Sequence, residues 1–154
     1  MSAFRPCAES AYHTATRVAV MALCCLLLVS CGLRESKIRA EQGVKEFHSL
    51  LNSEQYDVIY DRSGNQLKKS WTRADFIAFL RDIHSRLGKT GKATTLGYQV
   101  NASTGQGTEV ALAMRTEFER GLAEEQFVFG VEGNRIVLLG YRADIKRSNG
   151  PTTV

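Results

Sequence analysis

The hydrophobic period of this chain changes once, near Gly91, and the change limits the fold more than any other feature. Before it, apolar residues recur every three or four positions, as on the buried side of an amphipathic helix. After it, apolar and polar residues alternate, as in strands with one face in a core. Helices followed by strands with short turns indicate an α+β fold, in which N-terminal helices pack on a four-stranded antiparallel meander sheet.

Three helices are predicted before the change. The second spans about 54–60 and is predicted to begin after Ser53 as its cap, and Ser63-Gly64-Asn65 then indicates a turn. The third begins at Thr72, which forms a pattern resembling a capping box with Asp75, and it ends at Gly88. The apolar positions are Ala40, Val44, Phe47 and Leu51 in the first helix, Tyr56, Ile59 and Tyr60 in the second, and Phe76, Phe79, Leu80, Ile83 and Leu87 in the third.

Four strands are predicted after the change, separated by glycine-containing turns. The last apolar run, Ile136 to Tyr141, is almost uninterrupted, which predicts a central strand or one covered on both faces. The tail 146–154 is polar and is predicted to be disordered. The alternating positions are Leu96, Tyr98 and Val100, then Val110, Leu112, Met114, Thr116 and Phe118, then Phe127, Phe129 and Val131, with a hairpin signal at Glu132-Gly133-Asn134.

The first thirty residues have the pattern of an export signal. Residues 18–30 are uncharged and follow Arg5 and Arg17, and the run is shorter than the roughly 20 apolar residues that a membrane-spanning helix needs. It ends in Leu28-Val29-Ser30-Cys31, which resembles the bacterial lipobox at every position. The resemblance implies cleavage between Ser30 and Cys31, diacylglycerol on the Cys31 thiol and acylation of the new amine. The alternative is a membrane-spanning anchor with an incidental cysteine.

The cysteines agree with a role in attachment. All four, Cys7, Cys24, Cys25 and Cys31, precede the helical region, so a processed chain retains Cys31 alone. This excludes a disulfide framework, a thiolate zinc site and a cysteine nucleophile in the domain. Gly32 follows the lipobox. In the enterobacterial sorting rule, Asp at this position retains a lipoprotein in the inner membrane. Because this chain has Gly there, the resemblance implies that the protein is delivered to the outer membrane and faces the periplasm.

Four segments follow from these patterns. Residues 1–30 form the signal peptide, 31–37 the lipidated N-terminus and a short connector, 38–145 the α+β domain and 146–154 the tail. The net charge is +4, but the charges are interspersed and form no dense basic stripe, which excludes nucleic acid as a partner. Phosphate-loop, nucleophile-elbow and two-histidine metal motifs are absent from the sequence, so neither a cofactor nor a metal is predicted.

The order of elements, together with the phrase from Phe47 to Tyr60, resembles the nuclear transport factor two-like, or cystatin-like, cone superfamily. The resemblance spans residues 38–144. It implies a pocket between the sheet and the helices. In enzymes built on this cone, such as ketosteroid isomerase and scytalone dehydratase, that pocket holds an Asp or His base.

The candidate pocket residues are aromatic or imidazole side chains, and no motif fixes their roles. His48 and His84 each border an apolar stripe, and either one could act as a general base with a carboxylate such as Asp57 or Asp82. The non-functional alternative is a histidine at the boundary between core and surface, with its ring partly in solvent. The full set is His48, Tyr60, Trp71, His84 and Tyr98.

Two further expectations concern single positions. Trp71 is predicted to be the most exposed of the aromatic candidates, unless it packs onto the following helix as a hydrophobic staple. Glu124-Glu125 are predicted to be exposed at the start of a strand.

Three functions remain open on the sequence. The favoured one is a lipid-anchored envelope domain that binds a partner protein or small ligand without catalysis, because no catalytic motif is present. The second is a cone-fold isomerase or lyase that uses His48 or His84. The third is a structural envelope protein that oligomerises through its sheet, which predicts an exposed apolar patch of several hundred square ångströms on that sheet.

Overall fold

A computed structural model describes residues 34–103, 107–132 and 135–146. From Ser36 onward, the described residues belong to one compact unit. The predicted signal peptide, the lipobox and the tail beyond Lys146 lie outside the described residues. No helix in the described ranges is long and apolar enough to cross a bilayer.

Four helices precede four strands. Helix α1 covers residues 34–52, and it is followed by α2 (Tyr56–Arg62), α3 (Asn65–Ser70) and α4 (Arg73–Leu87). The strands are β1 (Thr90–Ser103), β2 (Gly107–Phe118), β3 (Gly121–Glu132) and β4 (Arg135–Lys146). They form one antiparallel sheet in the order β1-β2-β3-β4. The predicted α+β fold with a four-stranded meander is confirmed.

The helix boundaries differ from the prediction in three places. Residues 34–37, predicted as connector, are already helical. Ser53 does not cap α2; its hydroxyl donates to the carbonyl of Ser49, and Gln55 precedes the helix. Helix α3 was not predicted, because its single buried residue, Leu67, is too little to produce a periodic pattern.

The ends of α4 are as predicted. The Thr72 hydroxyl accepts from the Asp75 N–H at 3.2 Å, and Gly88 closes the helix with a φ of 78°. Trp71 precedes the cap and packs against Phe76 with ring centroids 5.9 Å apart. This is the geometry of a hydrophobic staple, so the staple interpretation of Trp71 is confirmed.

The core lies between the helices and one face of the sheet. Paired positions of neighbouring strands share a face, and the inward positions of β2 are the predicted ones. Phe127 of β3 is fully buried, and its ring contacts those of Phe47, Phe129 and Tyr141. The helices contribute Ala40, Val44, Phe47 and Leu51 from α1 and Phe76, Leu80, Ile83 and Leu87 from α4.

Of the two alternatives predicted for Ile136 to Tyr141, a central strand or one covered on both faces, the central strand is wrong, because β4 is an edge strand. Its apolar character has another cause. The Gly64 N–H donates to the Leu138 carbonyl at 2.8 Å, so the turn between α2 and α3 covers this edge. A bulge displaces Leu139, whose side chain packs closely against Gly64 and Gly130. The turn between α2 and α3 therefore covers this part of the sheet edge.

Candidate functional site

A carboxylate is buried at the centre of the sheet's inner face. Glu125 of β3 is 0 % exposed, so the prediction that it is exposed is wrong. Three groups donate to it: Tyr141 OH to Oε1 at 2.6 Å, Thr116 Oγ1 to Oε2, and His48 Nε2 to Oε2 at 2.8 Å. Burying a charge without partners is strongly unfavourable, and the hydrogen bonds from these three donors offset the free-energy cost of removing the carboxylate from water.

Tyr141 belongs to this cluster as a protonated phenol. Burial, followed by the neighbouring negative charge of Glu125, raises the pKa of Tyr141 well above its ordinary value. Its hydroxyl therefore remains a donor at any physiological pH. We call His48, Thr116, Glu125 and Tyr141 the Glu125 cluster.

His48 links the Glu125 cluster to the surface. It lies on α1 and is 7 % exposed. Since an ionised carboxylate only accepts, the bond to Glu125 assigns the proton of a neutral His48 to Nε2 and leaves Nδ1 as an acceptor. Nδ1 of His48 has no hydrogen-bond partner among the described residues. In those residues, the single side-chain N or O atom that is both fully buried and unpartnered is Nε2 of His84, so Nδ1 of His48 is not fully buried. Nδ1 of His48 is therefore within reach of solvent.

The carboxylates that the sequence suggested as partners of a histidine are engaged elsewhere. Asp57 accepts from Arg73 at 2.8 Å, and Asp82 accepts from Arg86 at 2.9 Å. Asp61 also pairs with Arg73, which lowers the pKa of Asp61. The prediction of Asp57 or Asp82 as the histidine's partner is thus wrong; both lie in exposed ion pairs.

His48 lines a polar groove between α1 and the first two strands, with a volume of about 610 Å³. Asn52 closes one end, because its side-chain amide bonds both the N–H and the carbonyl of Thr90, at 2.7 and 3.1 Å. At the other end Thr95 donates to Glu41 at 2.9 Å. The lining residues are Glu41, Val44, Lys45, His48, Ser49, Asn52, Thr90, Gly91, Ala93, Thr95 and Met114.

His84 occupies a separate position on α4. Its Nδ1 is 2.9 Å from the Tyr56 hydroxyl, and its Nε2 is buried without a partner. No hydrogen bond or ring contact within the described part of the chain joins His84 to His48. The two histidines therefore do not form one site.

The remaining candidates do not complete a pocket with His48. Tyr60 donates to the Trp71 carbonyl at 3.2 Å, and Trp71 stacks on Phe79 at 5.2 Å between centroids, so these two lie together beside α4. Tyr98 is 57 % exposed on the edge strand β1, with the Lys37 ammonium 5.1 Å from its ring centroid. Of the five predicted pocket residues, His48 alone lines the polar groove.

Sequence reasoning missed Thr116, Glu125 and Tyr141 as site residues. A signal was present: the alternation through Phe127 and Phe129 places Glu125 on the inward face, two positions earlier. Register pairs Met114 with Glu125, which brings the neighbouring inward position Thr116 within reach. A charged residue at an inward position of a half-buried strand predicts a buried, hydrogen-bonded group.

A second cleft, of about 360 Å³, opens between α1, α2 and β4. Its lining is mainly apolar, with Phe47, Leu50 and Phe129 among the contributors, and Arg62 and Glu46 pair with each other there. It holds no histidine and no buried carboxylate. The groove beside His48 is therefore the better candidate for chemistry.

The outer face of the sheet has small side chains at its centre. Ala111, Ala113, Val128 and Val137 are all half-buried there, and Arg115 pairs with Glu124 beside them.

Neither a metal-binding cluster nor a related protein identifies a ligand for this groove. Within residues 34–103, 107–132 and 135–146, no group of three His, Cys, Asp or Glu side chains is placed to hold a metal ion. No protein-family model matches the sequence, and no curated protein matches it.

Proposed function

We propose that this protein is a lipoprotein, anchored through Cys31, whose cone-type domain binds a small polar ligand without catalysis. The observation that supports the binding function best is the pairing of His48 with Glu125 beside the polar groove. Glu125 holds the imidazole in one tautomer and orientation, and the second nitrogen then offers the groove a fixed acceptor. A preorganised acceptor loses little entropy when a ligand binds.

The polar groups of the groove define the class of ligand. Nδ1 of His48 accepts a hydrogen bond, so the ligand carries a hydroxyl or amide donor. Lys45 contributes a positive charge to the wall. Burial raises the pKa of the Glu41 carboxyl, but the hydrogen bonds from Thr95 and Lys37 outweigh it and, with the charges of Lys37 and then Lys45, lower that pKa. We therefore expect a hydroxylated anion, such as a sugar acid, with its carboxylate directed toward Lys45.

Binding of glucuronate, followed by amide NMR shifts, tests this function. We expect saturable shifts at His48, Ser49 and Thr95 at concentrations up to about 10 mM, and weaker shifts with glucose, which lacks the carboxylate. His48→Ala should reduce the affinity about fivefold, since a hydrogen bond contributes about 1 kcal/mol. His84→Gln is the matched control and should bind normally. Absence of saturable shifts, or equal binding by His48→Ala, would contradict the proposal.

The anchor has its own test, mass spectrometry of the protein isolated from bacterial membranes. We expect a chain that begins at Cys31 and carries diacylglycerol, and we expect Cys31→Ser to remain unprocessed. Gly32 in the place where Asp acts as a retention signal supports an outer-membrane position facing the periplasm. An unmodified chain that starts at Met1, from cells with a working lipoprotein pathway, would contradict the lipoprotein assignment.

The same histidine supports a second candidate function, that of an isomerase or lyase. A histidine oriented by a carboxylate is the arrangement of a general base. Glu125 is buried and both its oxygens accept from donors within the protein, so the base of such an enzyme would be His48, oriented by this carboxylate. Glucuronate in D₂O distinguishes the two functions: a base would exchange the hydrogen next to the carboxylate, whereas a binding site would leave it in place.

A further inference from the structure

Three large apolar side chains are exposed near one end of the domain. Tyr98 is 57 % exposed, Ile38 51 % and Leu96 48 %. Ile38 lies on the first turns of α1, and the other two lie on the free edge strand β1. A bulge between Thr95 and Gly97 carries Leu96 out of the regular pairing. We call Ile38, Leu96 and Tyr98 the apolar end patch.

Helix α1 and β1 are tied together at this end. The Lys37 ammonium lies over the Tyr98 ring, 5.1 Å from its centroid, and it also pairs with Glu41 at 3.1 Å. Residues 34–41 of α1, which surround Ile38, carry Arg34, Lys37 and Arg39 against Glu35 and Glu41, a net charge of +1. The patch is therefore apolar and aromatic with positive charge beside it, the composition of a surface that rests on an anionic membrane interface.

The length of chain between Cys31 and the patch limits what the patch can face. Ile38 follows Cys31 by seven residues, which span at most about 25 Å when fully extended. A lipid on Cys31 would hold that residue at the bilayer surface. The end of α1 that carries Ile38 would then remain next to the membrane, whereas Asn52, bonded to Thr90, marks the opposite end of α1.

We propose that the apolar end patch contacts the interfacial region of the membrane, with Tyr98 and Ile38 among the lipid headgroups. This inference rests on the proposed lipid anchor. The contact would orient the domain and keep its β1 edge covered, which also accounts for an exposed edge strand with apolar side chains.

Site-specific labelling tests the contact in the processed protein. With Cys31 blocked by lipid, a cysteine introduced by Tyr98→Cys is the single free thiol and takes an environment-sensitive dye. Lys89→Cys is the matched control, because Lys89 is also exposed but adjoins Thr90, which bonds Asn52 at the far end of α1. Along α1, Asn52 lies about 22 Å from Lys37, the residue that contacts Tyr98. Vesicles contain phosphatidylcholine with or without phosphatidylglycerol, and mass spectrometry of the same sample establishes the lipid on Cys31.

We expect a blue-shifted, doxyl-lipid-quenched dye at position 98 and a water-like spectrum at position 89, with stronger quenching when phosphatidylglycerol is present. Lipidated protein with equal spectra at both positions would overturn the contact while leaving the anchor intact. Absence of lipid on Cys31 would overturn the anchor and this inference with it. A blue shift at position 98 that needs no vesicles and grows with protein concentration would assign the patch to a second copy of the chain and overturn the membrane contact.

Discussion

Replacing Glu125 with alanine should lower the free energy of unfolding by about 3–5 kcal/mol. The substitution removes the acceptor that His48, Thr116 and Tyr141 share, and it leaves their donors buried without partners. Urea unfolding, followed by the fluorescence of Trp71, the single tryptophan of the chain, measures the change.

The neighbouring carboxylate supplies the control. Glu124 faces the other side of the same strand, where Lys146 and Arg115 pair with it at 3.3 and 3.4 Å and lower the pKa of its carboxyl. Because these pairs are exposed, Glu124→Ala should change the unfolding free energy by less than about 1 kcal/mol. Equal effects of the two substitutions would show that the buried cluster contributes nothing special to stability.

The substitution Phe127→Ala should cost about 3–5 kcal/mol. The ring is 0 % exposed and lies in contact with four others: Phe47, Phe129 and Tyr141, each within 6 Å between centroids, and His48 at 5.9 Å. Its loss leaves a cavity that these neighbours cannot fill without leaving their own contacts.

The midpoints of thermal and urea unfolding should both fall strongly in Phe127→Ala. The free energy of unfolding of Leu122→Ala should remain within about 1 kcal/mol of the parent value, since Leu122 on the same strand is 39 % exposed. The cavity also lies against His48. Phe127→Ala should therefore weaken ligand binding in the groove even under conditions where the variant is folded, and Leu122→Ala should not.

The architecture of this protein follows from periodic patterns, and these are local properties of the sequence. The switch of period at Gly91 predicts helices before strands, and the caps at Thr72 and Gly88 follow from local backbone chemistry. The position of β4 could not be predicted in the same way. Its apolar run is covered by the turn at Gly64, a contact between residues more than seventy positions apart.

Of the four residues of the Glu125 cluster, the sequence predicted one as a site residue, His48. His48 stands out because histidine is rare in this chain and borders an apolar stripe. Its partner is 77 positions away, and the nearer carboxylates Asp57 and Asp82 were the more obvious choices. Sheet register places Glu125 beside Thr116 and opposite α1, and register is a property of the assembled sheet.

Nitrogen-15 NMR of the His48 ring, at neutral pH and with a His48→Gln sample for assignment, tests the central claim most directly. The account predicts a proton on Nε2, toward Glu125, and a bare Nδ1 whose resonance moves when glucuronate is added. A proton on Nδ1, or a ring resonance that glucuronate leaves unchanged while the ligand binds elsewhere, would contradict it.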